Sequence, residues 1–523
     1  MELKIINQID KAATTSRFEL LRFGAALFFL VCIMLYIELQ PPVEGSKIML
    51  VIAAMIGGYM ALNIGANDVA NNVGPAVGSQ AITLGGAIII AAIFESSGAL
   101  IAGGDVVSTI KKGIIDPAQV TDTDTFIWLM MAALLAAALW LNLATASGAP
   151  VSTTHSIVGG VLGAGIAAGG IGIANWGKMG AIAASWVISP VLGGIIAAAF
   201  LYLIKFSITY KPDMLAAAKK VVPLLLAVMA WSFSTYLILK GLKKIWKLDF
   251  FTAGSISLVI AIVLYILLRP VIARAADKLT NDKDSVNNLF TIPLIFAAAL
   301  LSFAHGANDV ANAVGPLAAI NEAIVAGGVA TKAQIPLWVM IVGAVGISLG
   351  LALYGPKLIR TVGSEITELN KMRAFSIAMA ASITVIIASQ LGLPVSSTHI
   401  AVGGVFGVGF LREYLKTRYG GILEEIKHHH DDDDPEAVEA FLLEFKSASI
   451  DHKRELLEKL KTHSTRAHLT KKERKVLSKI YRQELVRRSH LWKIAAAWII
   501  TVPASGLMAA MIFYMLRGLL LPQ

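Results

Sequence analysis

Long apolar runs separated by short polar stretches make up most of the chain. They lie near residues 21–39, 47–64, 81–103, 126–148, 156–174, 178–204, 221–240, 250–268, 290–305, 336–355, 374–393, 400–411 and 491–516. An apolar run of about 20 residues spans a bilayer as a helix. The period-2 alternation of a membrane barrel is not seen. Some of the shorter runs fit re-entrant half-helices better than full spans. The pattern therefore predicts an all-α polytopic membrane protein with about 10–12 transmembrane segments.

Two polar segments interrupt this pattern, and each occurs twice. Gly65-Ala66-Asn67-Asp68-Val69-Ala70-Asn71-Asn72-Val73-Gly74-Pro75 returns as Gly306-Ala307-Asn308-Asp309-Val310-Ala311-Asn312-Ala313-Val314-Gly315-Pro316. Pro150-Val151-Ser152-Thr153-Thr154-His155 returns as Pro394-Val395-Ser396-Ser397-Thr398-His399. The offsets are 241 (306 minus 65) and 244 (396 minus 152), so little length changes inside each half. Broken polar segments at matching places in two halves are the mark of a secondary transporter built from inverted-topology repeats with broken or re-entrant helices. Each Asn/Asp segment closes on Gly-Pro, where a helix break is expected.

The organisation follows from these landmarks. Residues 1–46 read as a cytoplasmic segment with an extra anchor helix; a signal peptide is disfavoured because 39–44 offers no small-x-small cleavage site. Residues 47–205 and 290–411 form the two transport repeats, and 206–289 supply connecting spans and loops. Residues 412–490 form a hydrophilic insert placed in the cytoplasm, because Arg482, Arg487, Arg488 and Lys493 abut the last span. The insert holds the run His428–Asp434, read as a solvated linker with divalent-metal binding as the alternative, and a capping box of Thr470 with Glu473 ahead of a basic helix to Arg488. Residues 491–523 carry the final transmembrane helix.

Composition narrows the picture further. The chain is 56% hydrophobic and only 15% charged, against about 25% charged in soluble domains. The single cysteine, Cys32, excludes an intrachain disulfide, a cysteine metal site and a redox pair. The net charge of +10 fits basic cytoplasmic loops and not a nucleic-acid partner.

The chemistry lies in the duplicated segments. Asp68 and Asp309, with the amide oxygens of Asn67, Asn71, Asn308 and Asn312, offer hard oxygen ligands for a small cation, which would offset the cost of a carboxylate in the membrane. Ser152, Thr153 and Thr154, with Ser396, Ser397 and Thr398, put hydroxyls at two helix starts, where free N–H groups favour an anion. His155 and His399 read as packed hydrogen-bonding residues, with proton relay as the alternative. Glu95 is also intramembrane. The repeat offsets place its counterpart between Pro336 and Val339, which holds no acid, so Glu95 is an asymmetric candidate for coupling.

These residues resemble the PiT family of inorganic phosphate transporters, which includes sodium–phosphate symporters and bacterial low-affinity permeases. The likeness covers most of 47–411 and includes Phe94-Glu95 with Lys112-Gly113-Ile114-Ile115-Asp116, besides both duplicated segments. It implies an inverted-repeat fold with cation ligands at Asn67, Asp68, Asn308 and Asp309. It implies phosphate contacts at Ser152, Thr153, Thr154, Ser396, Ser397 and Thr398. Some members carry a Glu ahead of the second Ser/Thr segment; Ile377-Ala378-Met379-Ala380 holds none, so that residue's coupling role does not carry over.

The expected activity is import of inorganic phosphate by symport with a cation, sodium or proton, through alternating access in the cell inner (plasma) membrane. No cofactor is expected beyond the coupling cation, and the partners are phosphate, that cation and the lipid bilayer, with a homo-oligomer left open. Sulfate or a metal–phosphate complex is the alternative within the fold. An intramembrane hydrolase is the alternative outside it; there, one nucleophile would need one base, whereas both halves hold the same polar set. A membrane-bound phosphate sensor would rely on the insert for signalling.

Overall fold

The computed structural model describes residues 2–41, 46–120, 122–147, 151–241, 248–325, 335–365, 370–417, 441, 443–444, 456 and 488–520. The first apolar run forms α1 (Glu2–Glu38). The first repeat follows as α2 (Lys47–Asn67), α3 (Val69–Gly78), α4 (Leu84–Ala102), α5 (Gly104–Lys112), α6 (Thr123–Ser147), α7 (Thr153–Gly169) and α8 (Trp176–Ile204). The connection supplies α9 (Met214–Gly241), α10 (Phe250–Ala276) and α11 (Lys283–Leu289). The second repeat gives α12 (Thr291–Asp309), α13 (Ala311–Val325), α14 (Leu337–Glu365), α15 (Lys371–Gln390) and α16 (Ser397–Thr417), and the chain closes with α17 (Arg488–Leu520). Among the described residues, 11 helical stretches are long and apolar enough to cross a membrane, within the predicted range. The runs at 156–174 and 400–411 form α7 and α16 and are not among the 11. No strand forms among the described residues. The chain is an all-α polytopic membrane protein.

Residues 406–488 form a compact unit separate from the rest of the chain. His428–Asp434, Thr470 and Glu473 lie outside the described residues. In the other unit the outer faces are oily: α10 turns Phe251, Val259 and Ile266 outward, as lipid-facing helices do.

The helix breaks do not fall at Gly-Pro. The first lies at Asp68, between α2 and α3, and the second at Val310, between α12 and α13; Pro75 and Pro316 sit inside α3 and α13. Proline's fixed φ is already helical, so the helix can run through it at the cost of one hydrogen bond. The missing N–H releases the carbonyl four residues earlier, on Asn71 and Asn312.

The repeats interlock through contacts made twice. A methyl on Gly65 of α2 would run into the backbone of Ile347 on α14, and one on Gly306 of α12 would meet the backbone of Glu95 on α4. Gly350 meets Leu62 in the same way, and Gly98 meets Phe303. Glycine at these points lets two backbones touch, which drives helix association where lipid is as apolar as the side chains. The pairing assigns Ile347 as the counterpart of Glu95, at an offset of 252 (347 minus 95), correcting the expected position of 336–339. The position still holds no acid.

A second pair of contacts crosses between halves. Gly403 on α16 lies against Pro190 of α8, and Gly159 on α7 lies against Val502 of α17. The last helix thus packs on the first repeat as α8 packs on the second.

Candidate functional site

Ser152 and Ser396 begin α7 and α16. The hydroxyl oxygen of Ser152 accepts from the His155 N–H at 3.2 Å, and that of Ser396 accepts from the His399 N–H at 3.3 Å. These are ordinary N-caps. They leave the earlier N–H groups of each first turn, those of residues 153–154 and 397–398, outside the helical ladder.

Both Ser/Thr segments converge on one carboxylate. Thr153 Oγ1 donates to Asp68 Oδ2 at 2.5 Å, and Thr398 Oγ1 donates to Asp68 Oδ1 at 3.3 Å. The asparagines reach across the repeats: Asn71 Nδ2 donates to Thr398 Oγ1 at 2.8 Å, and Asn312 Nδ2 donates to Thr153 Oγ1 and Thr154 Oγ1, both at 3.2 Å. Thr154 Oγ1 donates to the carbonyl of Val395 at 3.0 Å. All six hydroxyl residues are buried, as are Asp68, Asn308, Asp309 and Asn312. The structure therefore brings the four duplicated segments together in the interior.

The two leading asparagines of the pairs do something further. Asn308 Oδ1 accepts from the Val395 N–H at 3.2 Å, while its Nδ2 donates to Ser389 Oγ at 3.0 Å and to the Leu393 carbonyl at 3.2 Å. Asn67 Nδ2 reaches the carbonyl of Val151, the equivalent of Val395, at 3.5 Å. These amides tie each broken helix to the Ser/Thr segment of its own repeat.

Asp309 differs from its twin. Apart from a 3.0 Å contact between Oδ2 and His305 Nε2, its carboxylate oxygens have no donor among the described residues. His305 Nδ1 lies 2.6 Å from Glu95 Oε2, and Glu95 Oε1 accepts from Asn72 Nδ2 at 2.8 Å. Ligand-type atoms of Asp68, His305 and Asp309 all lie within 4.8 Å of one another, and all three residues are buried. Two carboxyl groups this close, out of water, persist only with a proton on one of them or a cation beside them. Carboxylate, hydroxyl and released carbonyl oxygens suit a hard cation, and hydroxyls with free helix N–H groups suit an oxyanion.

His155 and His399 pack against aromatic rings. Their rings meet edge to face, with centroids 4.6 Å apart; His155 lies on Trp186 and His399 on Trp498 at 3.8 and 3.6 Å. The ring nitrogens of His399 have no hydrogen-bond partner among the described residues. The Ser–His arrangement of a hydrolase is not formed, because each serine oxygen caps its helix instead.

His305, Asn72 and the two tryptophans were not singled out from the sequence, although signals existed. Copy one has Ile64 where copy two has His305. Ala183-Ala184-Ser185-Trp186-Val187-Ile188-Ser189 returns as Ala495-Ala496-Ala497-Trp498-Ile499-Ile500-Thr501. The offset there is 312 (498 minus 186), because the hydrophilic insert lies between the copies.

Residues 64–509 match the phosphate transporter family. A Helicobacter pylori protein named "Putative phosphate permease" is 52% identical over 523 residues, covering 98% of each chain. A Haemophilus influenzae protein of the same name is 38% identical over 370 residues, 69% of this chain and 87% of that one. Among solved structures, "The sodium-dependent phosphate transporter" aligns with a TM-score of 0.74 and 32% identity, over 90% of this chain and 100% of its own. Match extent and identity agree with the duplicated motifs and the interlocked helices: this chain, a multi-pass membrane transporter and not an enzyme, belongs to the phosphate transporter family.

Proposed function

We propose that this protein moves inorganic phosphate across the membrane by symport with sodium, through alternating access. The observation that carries the reading is Asp68, bonded at once by Thr153 of one repeat and Thr398 of the other. A cation at that carboxylate would sit beside both helix starts that face the anion. Sodium at Asp68 and Asp309 then offsets phosphate charge, while the hydroxyls of residues 152–154 and 396–398 and the first-turn N–H groups of α7 and α16 hold the oxyanion. Sodium is favoured over protons by the sodium dependence of the solved relative.

Coupling follows without a further device. Cation and anion occupy one enclosure, so each raises the affinity for the other by the same factor. Each half of the site is assembled from residues of both repeats. A rocking motion of one repeat against the other would expose the loaded site first to one side and then to the other.

Labelled-phosphate uptake into liposomes holding only this protein, with sodium and pH gradients imposed separately and sulfate as competitor, tests the reading. Uptake driven by inward sodium, and resistant to excess sulfate, is expected. Uptake driven by the pH gradient alone would replace sodium with protons, and equal inhibition by sulfate and unlabelled phosphate would remove the substrate assignment.

A further inference from the structure

The helix contact at Gly65 and Ile347 and the contact at Gly306 and Glu95 share one backbone geometry but hold different side chains. In the first, the residue ahead of the glycine is Ile64 and the partner is Ile347, both fully buried and apolar. In the second, the residue ahead of the glycine is His305 and the partner is Glu95, also buried. The fold thus closes this interface with two isoleucines. A buried imidazole–carboxylate pair at the mirror position costs desolvation that an apolar pair avoids, so packing does not account for it.

What the pair touches shows its use. Asn72 donates to Glu95, Glu95 faces His305 Nδ1, and His305 Nε2 faces Asp309. The chain starts on α3, four residues after Asp68 and next to Asn71, and it ends on the aspartate of the other repeat. In the first half Asp68 is held by threonine hydroxyls; in the second, the only described contact of Asp309 within hydrogen-bond distance is His305.

We propose that His305 is a positioning residue that orients Asp309 and makes the two cation half-sites inequivalent, with Glu95 and Asn72 fixing the ring. This rests on the reading of Asp68 and Asp309 as cation ligands. A ring with protons on both nitrogens donates to both carboxylates. A ring with one proton donates to Glu95 and shares a cation with Asp309, as outer carboxylates orient histidines at metal sites. Either way, the carboxylate of Asp309 is aimed by an imidazole, and that of Asp68 by hydroxyls. The consequence is that the half-sites fill in order and not alike. The Asn72 link, running through α3 beside Asp68, gives occupancy at the first half-site a covalent and hydrogen-bonded route to the second.

The mirror contact supplies the test. The double variant His305→Ile with Glu95→Ile copies the pair that the first contact already packs, so it should fold; thermal melting in detergent checks this. Phosphate uptake is measured in liposomes against the concentration of whichever cation drives the wild type, and again against phosphate at saturating cation. We expect the double variant to raise half-saturating cation about tenfold or more, the loss of one charge-assisted contact, and to lower the Hill coefficient for cation. The KM for phosphate at saturating cation should stay within about twofold, because no anion contact is removed. Glu95→Gln, which keeps an acceptor for the ring, should fall between. Wild-type cation dependence and Hill coefficient in the folded double variant would overturn the proposal. So would a raised phosphate KM with unchanged cation dependence. If uptake is lost, equilibrium binding of labelled cation to the purified variant decides: wild-type affinity overturns it, and weakened binding with one site retained supports it. Loss of uptake and of all cation binding in Asp68→Asn and Asp309→Asn supports the ligand reading itself; normal behaviour there would sink that reading separately.

Discussion

Replacing Thr153 with valine removes one hydroxyl and leaves the side-chain volume in place. Thr153 is fully buried; its Oγ1 donates to Asp68 at 2.5 Å and accepts from Asn312 at 3.2 Å. Asn312 keeps its second partner, Thr154, and Asp68 keeps Thr398 at 3.3 Å. The net loss is therefore one hydrogen bond to a buried carboxylate, worth about 1.5–3 kcal/mol. At about 1.4 kcal/mol per factor of ten, half-saturating cation should rise about 10- to 150-fold. Phosphate KM below saturating cation should rise with it, because linkage is reciprocal. Thr153→Ser keeps the donor and should stay within about threefold of wild type. Labelled-phosphate uptake in liposomes, with melting temperature and size-exclusion profile as fold controls, is the assay. A folded Thr153→Val protein with wild-type KM and cation dependence would refute the reasoning, since the hydroxyl would then have no part in holding Asp68 for its ligand.

Asp68→Asn and Asp309→Asn should each cripple uptake while leaving the protein folded, because the amide keeps the shape and removes the charge a cation needs; uptake beside a circular-dichroism melt checks both. Gly306→Ala should lower the melting temperature, since its methyl would meet the Glu95 backbone and overpacking costs about 1–3 kcal/mol; Gly104→Ala, with open space at that point, is the control and should melt as wild type. Lys111 pairs with Glu322 between α5 and α13, both side chains 6% exposed. Lys111→Ala should lower the thermal melt by the equivalent of about 1.5–3 kcal/mol, the loss of one contact between charged groups, because Lys112 stays beside Glu322 at 3.8 Å; a melt unchanged from wild type would refute this.

Much of the fold was legible because its local rules are local in sequence. Apolar runs set the helices, and the doubled Asn/Asp and Ser/Thr segments marked where those helices break and which residues meet. Other features depended on distances along the chain that loops had changed. The equivalent of Glu95 is displaced because the offset between halves rises from 241 at Gly65 to 252 at Glu95 and returns to 244 at Ser152. Extra residues in one loop are undone by fewer in the next, so interpolation between motifs fails. Trp498 was hidden in the same way by the insert. The break at Asp68 instead of Gly-Pro was misplaced because proline's φ fits a helix even where its hydrogen bond is missing.

By itself the sequence determined that this is a helical membrane protein of two related halves, with carboxylates, amides and hydroxyls at matching interruptions. Only the tertiary structure decided that Asp68 is shared by threonines of both halves, and that His305 stands between Glu95 and Asp309 where the twin contact holds two isoleucines. The physical reason is the solvent. In water, hydropathy tells an inner face from an outer one; in lipid both faces are oily. Which helix lies against which is then settled by close backbone approach at glycines and by the pairing of a few buried polar groups, and those partners come from distant parts of the chain.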